Sequence, residues 1–259
     1  PVINELYAWF QEHLTVSLAQ GLRHLYIRYI QSTNQSQIVL IGQHKNDWEQ
    51  LVKDCVSTFD HVASIVFNQN NRKDNVILGE KYEVLYGKPY ILATCFENKV
   101  HLHFKSFFQV NSVQMEVLYK QALQAANLDS SMTVIDLYAG TGTIGMMAAR
   151  YVKQVIGVEI VPEAVENAKE NYALNDLYNG SYYCMDASVF AHEMKEKVDV
   201  VFVDPPRKGM SEQGIDDIAR LNPQRVVYVS CNPKTLARDI KIFEQEGYHC
   251  EYVQPVDLF

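Results

Sequence analysis

Residues 133–145, Thr-Val-Ile-Asp-Leu-Tyr-Ala-Gly-Thr-Gly-Thr-Ile-Gly, carry a β-branched strand directly into three glycines spaced G-x-G-x-x-G, and a helical pattern comes next. No other stretch constrains the fold as tightly. A glycine backbone can pass close to a ligand where a Cβ would collide, and such a loop on a strand-to-helix turn is how an open parallel sheet receives a nucleotide-like group. The downstream chain keeps the alternation. Strand patterns at Thr133–Tyr138, Gln154–Glu159, Ser181–Met185, Val198–Val203, Arg225–Ser230 and Tyr248–Gln254 are separated by helical ones at Ile144–Tyr151, Pro162–Leu174, Ile215–Leu221 and Pro233–Glu246. Repeated β-α-β units predict a parallel sheet with helices on both faces, a Rossmann-like α/β fold.

Upstream, residues 1–105 read as a smaller mixed α/β domain, and 106–259 as the glycine-loop domain. Helical spacing covers Ile3–Leu14 and Trp48–Phe59; strand patterns cover Leu22–Ile30, Gln37–Ile41 and His61–Phe67, with further short strands in Gly79–Tyr90 and Val100–Phe104. Asn111 is placed to cap a helix over Val113–Asn127.

At 259 residues there is room for both domains, and 47% apolar with 21% charged residues is ordinary for a globular chain. No apolar run is long enough to span a bilayer and no signal segment opens the chain, so a cytoplasmic monomer without membrane contact is expected. The five cysteines, Cys55, Cys95, Cys184, Cys231 and Cys250, contain no C-x-x-C pair. Neither a disulfide framework nor a metal site is expected, and the default for each thiol is a buried, inert one. A net charge of −8 weighs against a polyanionic partner unless basic groups are gathered locally.

Two carboxylates frame the glycine loop. Glu159 ends the second strand of the alternating series, where it can receive a ribose diol. Asp136 lies just before the glycines and separates two cofactor classes. A dinucleotide sets its pyrophosphate at the helix N-terminus, and a carboxylate there opposes that anion. S-adenosylmethionine has no phosphate and carries an ammonium and a sulfonium, which the carboxylate attracts. A nicotinamide oxidoreductase is disfavoured on that ground. Asp186, after the third strand, is placed to accept from an adenine amino group. The bland alternatives are that Asp136 caps the loop's own amides and that Asp186 is a plain loop residue.

The fourth strand delivers Asp204-Pro205-Pro206-Arg207 to the ligand edge of the sheet. Two prolines make it a rigid ledge. Similar ledges ending in an aromatic residue serve amino-nitrogen methyltransferases; Arg207 in that place suits a phosphate or base edge instead. The fifth strand ends in Ser230-Cys231-Asn232-Pro233, with Asn232 as N-cap and Pro233 as first residue of a helix. A thiol just ahead of a helix N-terminus feels its positive end, which favours the thiolate, and Lys234 and Arg238 add positive potential. Cys231 is therefore the candidate nucleophile. Thiolate addition to carbon 6 of uracil would make the otherwise inert carbon 5 able to attack a sulfonium methyl.

The motifs Phe107-Phe108-Gln109-Val110-Asn111, Asp136-Leu137-Tyr138-Ala139-Gly140-Thr141-Gly142, Asp204-Pro205-Pro206-Arg207 and Ser230-Cys231-Asn232-Pro233 occur in order. Together they resemble the RNA (uracil-5-)-methyltransferases, particularly the bacterial branch acting on 23S ribosomal RNA, over essentially the whole chain. The resemblance implies a class I methyltransferase domain with S-adenosylmethionine as cofactor, RNA as partner (ribosomal RNA favoured over tRNA), and Cys231 as nucleophile. It implies cofactor contacts from Gln109, Tyr138, Thr143, Glu159, Asp186 and Asp204, which join Asp136, Gly140 and Gly142 from the loop. Arg207, Lys234 and Arg238 are the expected RNA contacts. The family's N-terminal oligonucleotide-binding barrel, and the iron–sulfur cluster of some members, are not visible here. Its catalytic base is a glutamate beyond the motif that resembles Pro255-Val256-Asp257-Leu258-Phe259, where this sequence stops, so the piece is expected to bind cofactor but to turn over poorly. The rival expectations are an amino-nitrogen methyltransferase and a non-catalytic RNA-binding module that keeps the cofactor fold.

Overall fold

A computed structural model describes residues 1–109 and 111–258; Val110 of the Phe107–Asn111 motif and the terminal Phe259 lie outside the described residues. The chain divides into two units, Pro1–Thr94 with His101–Lys105, and Cys95–Val100 with Ser106–Phe259.

The first unit is built on helix α1 (Val2–His13), the single turn α2 (Val16–Ala19), strands β1 (Leu22–Ile30) and β2 (Gln35–Gly42), helix α3 (Glu49–Thr58), and strands β3 (Val62–Gln69) and β4 (Tyr82–Gly87). The strands form a sheet in the order β1-β2-β3-β4. β2 and β3 pair in parallel through the α3 crossover, while β1 and β4 pair antiparallel on the flanks. Alternation splits the side chains cleanly. Ile38, Leu40, Ile65 and Phe67 pack with Leu6, Phe10, Trp48 and Leu51 on one side, and Val39, Ile41 and Val66 meet Phe104 on the other. Strands β5 (Tyr90–Cys95) and β6 (Asn98–His103) form a separate two-stranded sheet.

The second unit begins with α4 (Ser112–Ala126), whose N-cap Asn111 accepts the Gln114 amide at 3.1 Å as the sequence suggests. It continues β7 (Thr133–Leu137), α5 (Thr143–Ala149), β8 (Gln154–Glu159), α6 (Pro162–Leu174), β9 (Gly180–Cys184), α7 (Ala187–Glu193), β10 (Val200–Val203), α8 (Glu212–Arg220), β11 (Arg225–Tyr228) and α9 (Pro233–Gln245). All strand pairs are parallel, in the order β11-β10-β7-β8-β9. Helices α4, α5 and α6 cover one face; α7, α8 and α9 cover the other, where Phe190, Ile215, Ile218 and Phe243 pack on Ile135, Ile156 and Val201. This is the expected α/β fold with a parallel sheet and helices on both faces.

Two local expectations fail. Helix α7 is absent from the sequence pattern: at seven residues it is too short to show a repeating apolar face. Its start is fixed instead by Asp186, whose carboxylate accepts the Ser188 and Val189 amides at 2.9 and 3.2 Å. Conversely, Tyr248–Gln254 forms no strand. Its composition suits a strand, but β11 is the sheet's last strand among the described residues and pairs only with β10. Tyr248 turns inward, with its amide on Phe243 and its hydroxyl on the Pro223 carbonyl, and residues 249–255 are exposed.

Gly157, in the middle of β8, faces the ring of Tyr182 on β9, and any Cβ there would overlap that ring. Gly157→Ala is expected to cost about 1–3 kcal/mol through overpacking. In chemical denaturation the double variant with Tyr182→Ala should cost less than the sum of the two single changes, because the collision is then absent.

Candidate active site

β7 occupies the middle of the sheet. The chain moves from it to β8 and β9 on one side, then returns to β10 and β11 on the other. At this reversal the chain leaves β7 and β10 toward opposite faces of the sheet, and the carboxyl ends of the strands at such a switch point are where open α/β sheets bind ligands. The glycine loop, Glu159, Asp186, Asp204 and Cys231 all lie at or just beyond strand ends on that edge.

The loop is held from below as well as opened above. Tyr138 adopts φ of +62°, a left-handed backbone that costs an aromatic residue of order 1–2 kcal/mol. Gly140 and Gly142 also have positive φ. The three loop glycines are not alike. A Cβ on Gly142 would sit 2.5 Å from the Tyr182 hydroxyl, and one on Gly145 would sit 2.8 Å from it and 3.0 Å from Asp136 Oδ2. Gly142 and Gly145 therefore make room for a buried tyrosine, whereas a Cβ on Gly140 would meet nothing within 4 Å. Of the three, only Gly140 faces space that a ligand could use. Sequence reasoning misses Tyr182; the isolated glycine inside β8 is the signal of a close approach.

Asp136 is 1% exposed. Its Oδ2 accepts the Gly145 amide at 2.9 Å, so one oxygen does cap the loop as the bland alternative holds. Its Oδ1 is buried without a partner. Burial pushes this carboxyl up to about 7, against the lowering effect of the Gly145 amide, with Asp204 and Glu159 adding repulsion. A buried acceptor left unmatched beside an open loop fits a cationic or hydrogen-bond-donating ligand group. Asp204, at the end of β10, is raised by burial to about 6. Glu159 accepts the Gly140 amide with Oε2 at 3.0 Å and the Val161 amide with Oε1 at 2.9 Å; each oxygen keeps a second lone pair for a ligand hydroxyl. Thr143 is buried with its hydroxyl 3.0 Å from that of Thr141. Tyr138 and Gln109 are half-buried, and Asp186 is exposed.

The Asp-Pro-Pro-Arg ledge and the cysteine turn are stitched together. Pro206–Gly209 forms a turn, with the Gly209 amide on the Pro206 carbonyl at 2.8 Å. The Arg207 carbonyl accepts from Asn232 Nδ2 at 3.2 Å and from the Thr235 hydroxyl at 3.4 Å. Asn232 also caps α9 through the Lys234 amide, and its own amide donates to Ser230 Oγ. Cys231 stands on this turn, exposed, immediately before α9.

Among the expected RNA contacts, Arg207 and Lys234 are exposed. Arg238 is differently employed. Its Nε donates to Asp239 at 2.7 Å, and its Nη2 donates to the carbonyls of Lys208 and Met210 at 3.1 and 2.9 Å. Nε and Nη2 are thus engaged with Asp239 and the ledge, while the side chain remains half exposed. Cys55 and Cys95 are buried, and burial above all pushes both thiols up to about 12. Cys184 and Cys250 are exposed, contrary to the default of burial, because one ends the outer strand β9 and the other lies in the segment after α9. Exposure therefore does not single out Cys231; its place on the ligand edge of the sheet does. Among the described residues no group of acidic, histidine or cysteine side chains could hold a metal ion, and no helix is long and apolar enough to cross a membrane.

The second unit has a class I, Rossmann-like methyltransferase fold. The sequence profile of the tRNA (uracil-5-)-methyltransferases matches residues 3–253, and the chain belongs to this family. An uncharacterized RNA methyltransferase of Halalkalibacterium halodurans is 45% identical over 243 residues, which is 92% of this chain and 53% of the relative. One from Clostridium tetani is 42% identical over 244 residues, again 92% and 53%. The chain thus spans about half the length of these relatives. Among solved structures, the tRNA (uracil-54, C5)-methyltransferase of Pyrococcus abyssi, in complex with S-adenosyl-L-homocysteine, is 26% identical. It superposes with a TM-score of 0.73, covering 94% of this chain and 60% of that one. Trm5b from Pyrococcus abyssi shares the fold at 12% identity, with a TM-score of 0.55 over 86% of this chain and 65% of that one.

The burial of Asp136 carries a stability signature. Its folded-state value near 7 lies above the ordinary 3.8, so the carboxyl destabilises the fold increasingly as pH rises from about 4 to 7, and fully above that. Asp136→Asn removes the charge. The variant should gain about 1–4 kcal/mol relative to wild type between pH 4 and pH 8. Denaturation at the two pH values checks it; an equal difference at both would show that Asp136 does not change ionisation across that range.

Proposed function

We propose that this chain forms the cofactor-binding and nucleophilic part of an S-adenosylmethionine-dependent methyltransferase acting on carbon 5 of a uridine in RNA, through a covalent Cys231–uracil adduct. The observation that carries the reading is the placement of Cys231: exposed on a turn hydrogen-bonded to the Asp-Pro-Pro-Arg ledge, on the same sheet edge as Asp136 and Gly140. Residues 106–259 form the methyltransferase domain and residues 1–105 an accessory α/β domain.

The residues fit the cofactor. Asp136 offers a buried, unmatched acceptor for an ammonium, Glu159 has lone pairs for ribose hydroxyls, and Gly140 leaves the loop open. Tyr138, Thr143, Gly142, Asp186, Asp204 and Gln109 complete the proposed set. Asp186 would serve an adenine amino group with acceptor capacity beyond its two helix-capping bonds. The complex of the Pyrococcus abyssi neighbour with S-adenosyl-L-homocysteine supports this assignment. When bound, S-adenosylmethionine supplies an electrophilic methyl group.

The protein's own task is to make carbon 5 nucleophilic. The Cys231 thiolate adds to carbon 6 of uracil, and the ring's electrons shift to an enolate whose carbon 5 can form a bond to carbon. After methylation a base takes the carbon 5 proton, the carbon 5–carbon 6 double bond returns, and the thiolate leaves. Arg207 and Lys234 supply exposed cations for phosphate. Large-subunit ribosomal RNA is the substrate favoured by the motif resemblance; tRNA specificity is a property named for the Pyrococcus abyssi neighbour. Mapping 5-methyluridine in cellular RNA with and without the protein decides between them.

Cys231→Ala should abolish any covalent RNA complex and leave the dissociation constant for S-adenosylmethionine within about threefold, a change of less than about 0.7 kcal/mol, since the thiol is assigned to the uracil and not to the cofactor. A tenfold or larger loss of cofactor affinity would mean the thiol is misplaced in this scheme. Cofactor affinity should also follow the ionisation of Asp136. With the free carboxyl near 7, affinity should fall by up to tenfold per pH unit below neutrality and level off above it, and Asp136→Asn should flatten that profile in calorimetric titration.

A further inference from the structure

Asp239 lies on α9, two turns beyond Cys231, and is wholly buried. Its Oδ2 accepts the Met210 amide at 2.9 Å and the Tyr228 hydroxyl at 2.7 Å, and its Oδ1 accepts Arg238 Nε at 2.7 Å. Met210 closes the ledge turn, and Tyr228 is the last residue of β11, three before Cys231. Arg238 in turn holds the carbonyls of Lys208 and Met210. Gly209 has φ of +73°, and a Cβ on it would sit 2.5 Å from Asp239 Oδ2 and 2.7 Å from Arg238 Nη2. The ledge backbone is thus pressed directly onto this ion pair. About one turn earlier, at the start of the same helix, Asn232 and Thr235 grip the Arg207 carbonyl.

We propose that Asp239, acting with Arg238 and Tyr228, is the positioning residue that fixes the distance between the Cys231 thiol and the Asp204–Met210 ledge. This inference rests on the assignment of Cys231 as nucleophile. The physical argument is one of tolerance. A thiolate adds to a ring carbon only from a narrow range of positions, and a misplacement of about 1 Å costs on the order of a hundredfold in rate. The ledge lacks two amides at Pro205 and Pro206, so it cannot tie itself into neighbouring strands. Its carbonyls at 207, 208 and 210 and its amide at 210 are all taken by α9 and its cap. Burying a carboxylate is costly, its ionic partner Arg238 stays half exposed, and apolar residues of similar volume commonly replace even a fully buried ion pair without loss of stability. An apolar pair, however, could not hold the Met210 amide and two carbonyls in register with the end of β11. Geometry of the reaction, more than stability, accounts for a charged pair at this place.

The test uses the intact protein and an RNA in which the target uridine carries fluorine at carbon 5, so that an adduct, once methylated, cannot lose a carbon 5 proton and persists. Asp239→Asn retains the shape and an acceptor while removing the charge. Arg238→Lys retains the charge, but a single ammonium cannot reach Asp239 and two carbonyls in the manner of a planar fork. Ile218→Ala, on α8 in the same buried core, serves as a control that lowers stability while leaving every hydrogen bond of the network in place. At temperatures where all variants are folded, Asp239→Asn is expected to slow adduct formation at least tenfold and Arg238→Lys several-fold. Both should keep the S-adenosylmethionine dissociation constant within about threefold, and Ile218→Ala should form adduct at the wild-type rate. If Asp239→Asn matches Ile218→Ala in adduct rate, the residue is merely structural and the proposal fails while the nucleophile assignment stands. If wild type itself forms no adduct that Cys231→Ala removes, the nucleophile assignment fails and takes the proposal with it.

Discussion

Parallel pairing of β7 with both β8 and β10 is the constraint on which the candidate site depends. A central first strand forces the chain to reverse direction across the sheet, and the loops on either side of that reversal must part. Residues distant in sequence, 136–142, 159, 186, 204 and 231, are thereby delivered to one edge without any of them having to stabilise the arrangement. The pairing itself is maintained by the apolar interior of both faces. Ile135, Ile156 and Val201 meet α7, α8 and α9, and the opposite face carries Val134, Val155 and Asp136 beneath α5. Asp136 is the exception in that register, a charged side chain at an interior position of β7.

That exception and the buried Asp239 show two ways of handling a carboxylate away from water. Asp239 is saturated: an amide, a hydroxyl and a guanidinium surround it. Asp136 is left half-satisfied and is raised to about 7 by its burial. A saturated carboxylate fixes structure, whereas an unsaturated one stores an unfavourable interaction that a proton or a ligand can relieve. The loop above Asp136 is strained in the same sense, with Tyr138 in a left-handed backbone at the point where β7 ends.

Much of this is legible in the sequence because β-branched runs and caps are local signals. β1, β8 and α6 have the very ends that their residue patterns suggest, and Asn111 and Asn232 cap the helices assigned to them. The illegible parts depend on partners. A strand at 248–254 needs a neighbouring strand to exist, and α7 owes its start to one carboxylate rather than to periodicity. Arg238 reads in sequence as a surface cation, and only the folded ledge reveals the carbonyls that occupy it. The glycines of the loop are legible as glycines but not in their separate reasons. Gly142 and Gly145 yield to Tyr182, about forty residues away in sequence, and Gly140 alone yields to open space.

The wedge formed by Tyr182 under Gly142, Gly145 and Gly157 has an evolutionary corollary. An enlarged residue at any one of these glycines collides with a ring that the other two still require, and a smaller residue at 182 leaves a void beneath all three. One ring thus constrains three glycines at once, adding to the positive φ that already holds Gly142 and to the Asp136 contact that already holds Gly145. Lineages that replace the tyrosine should release Gly157, while Gly142 stays held by its positive φ and Gly145 by Asp136 and Val155; those that keep it should tolerate little drift at any of the three, however remote they lie from the chemistry.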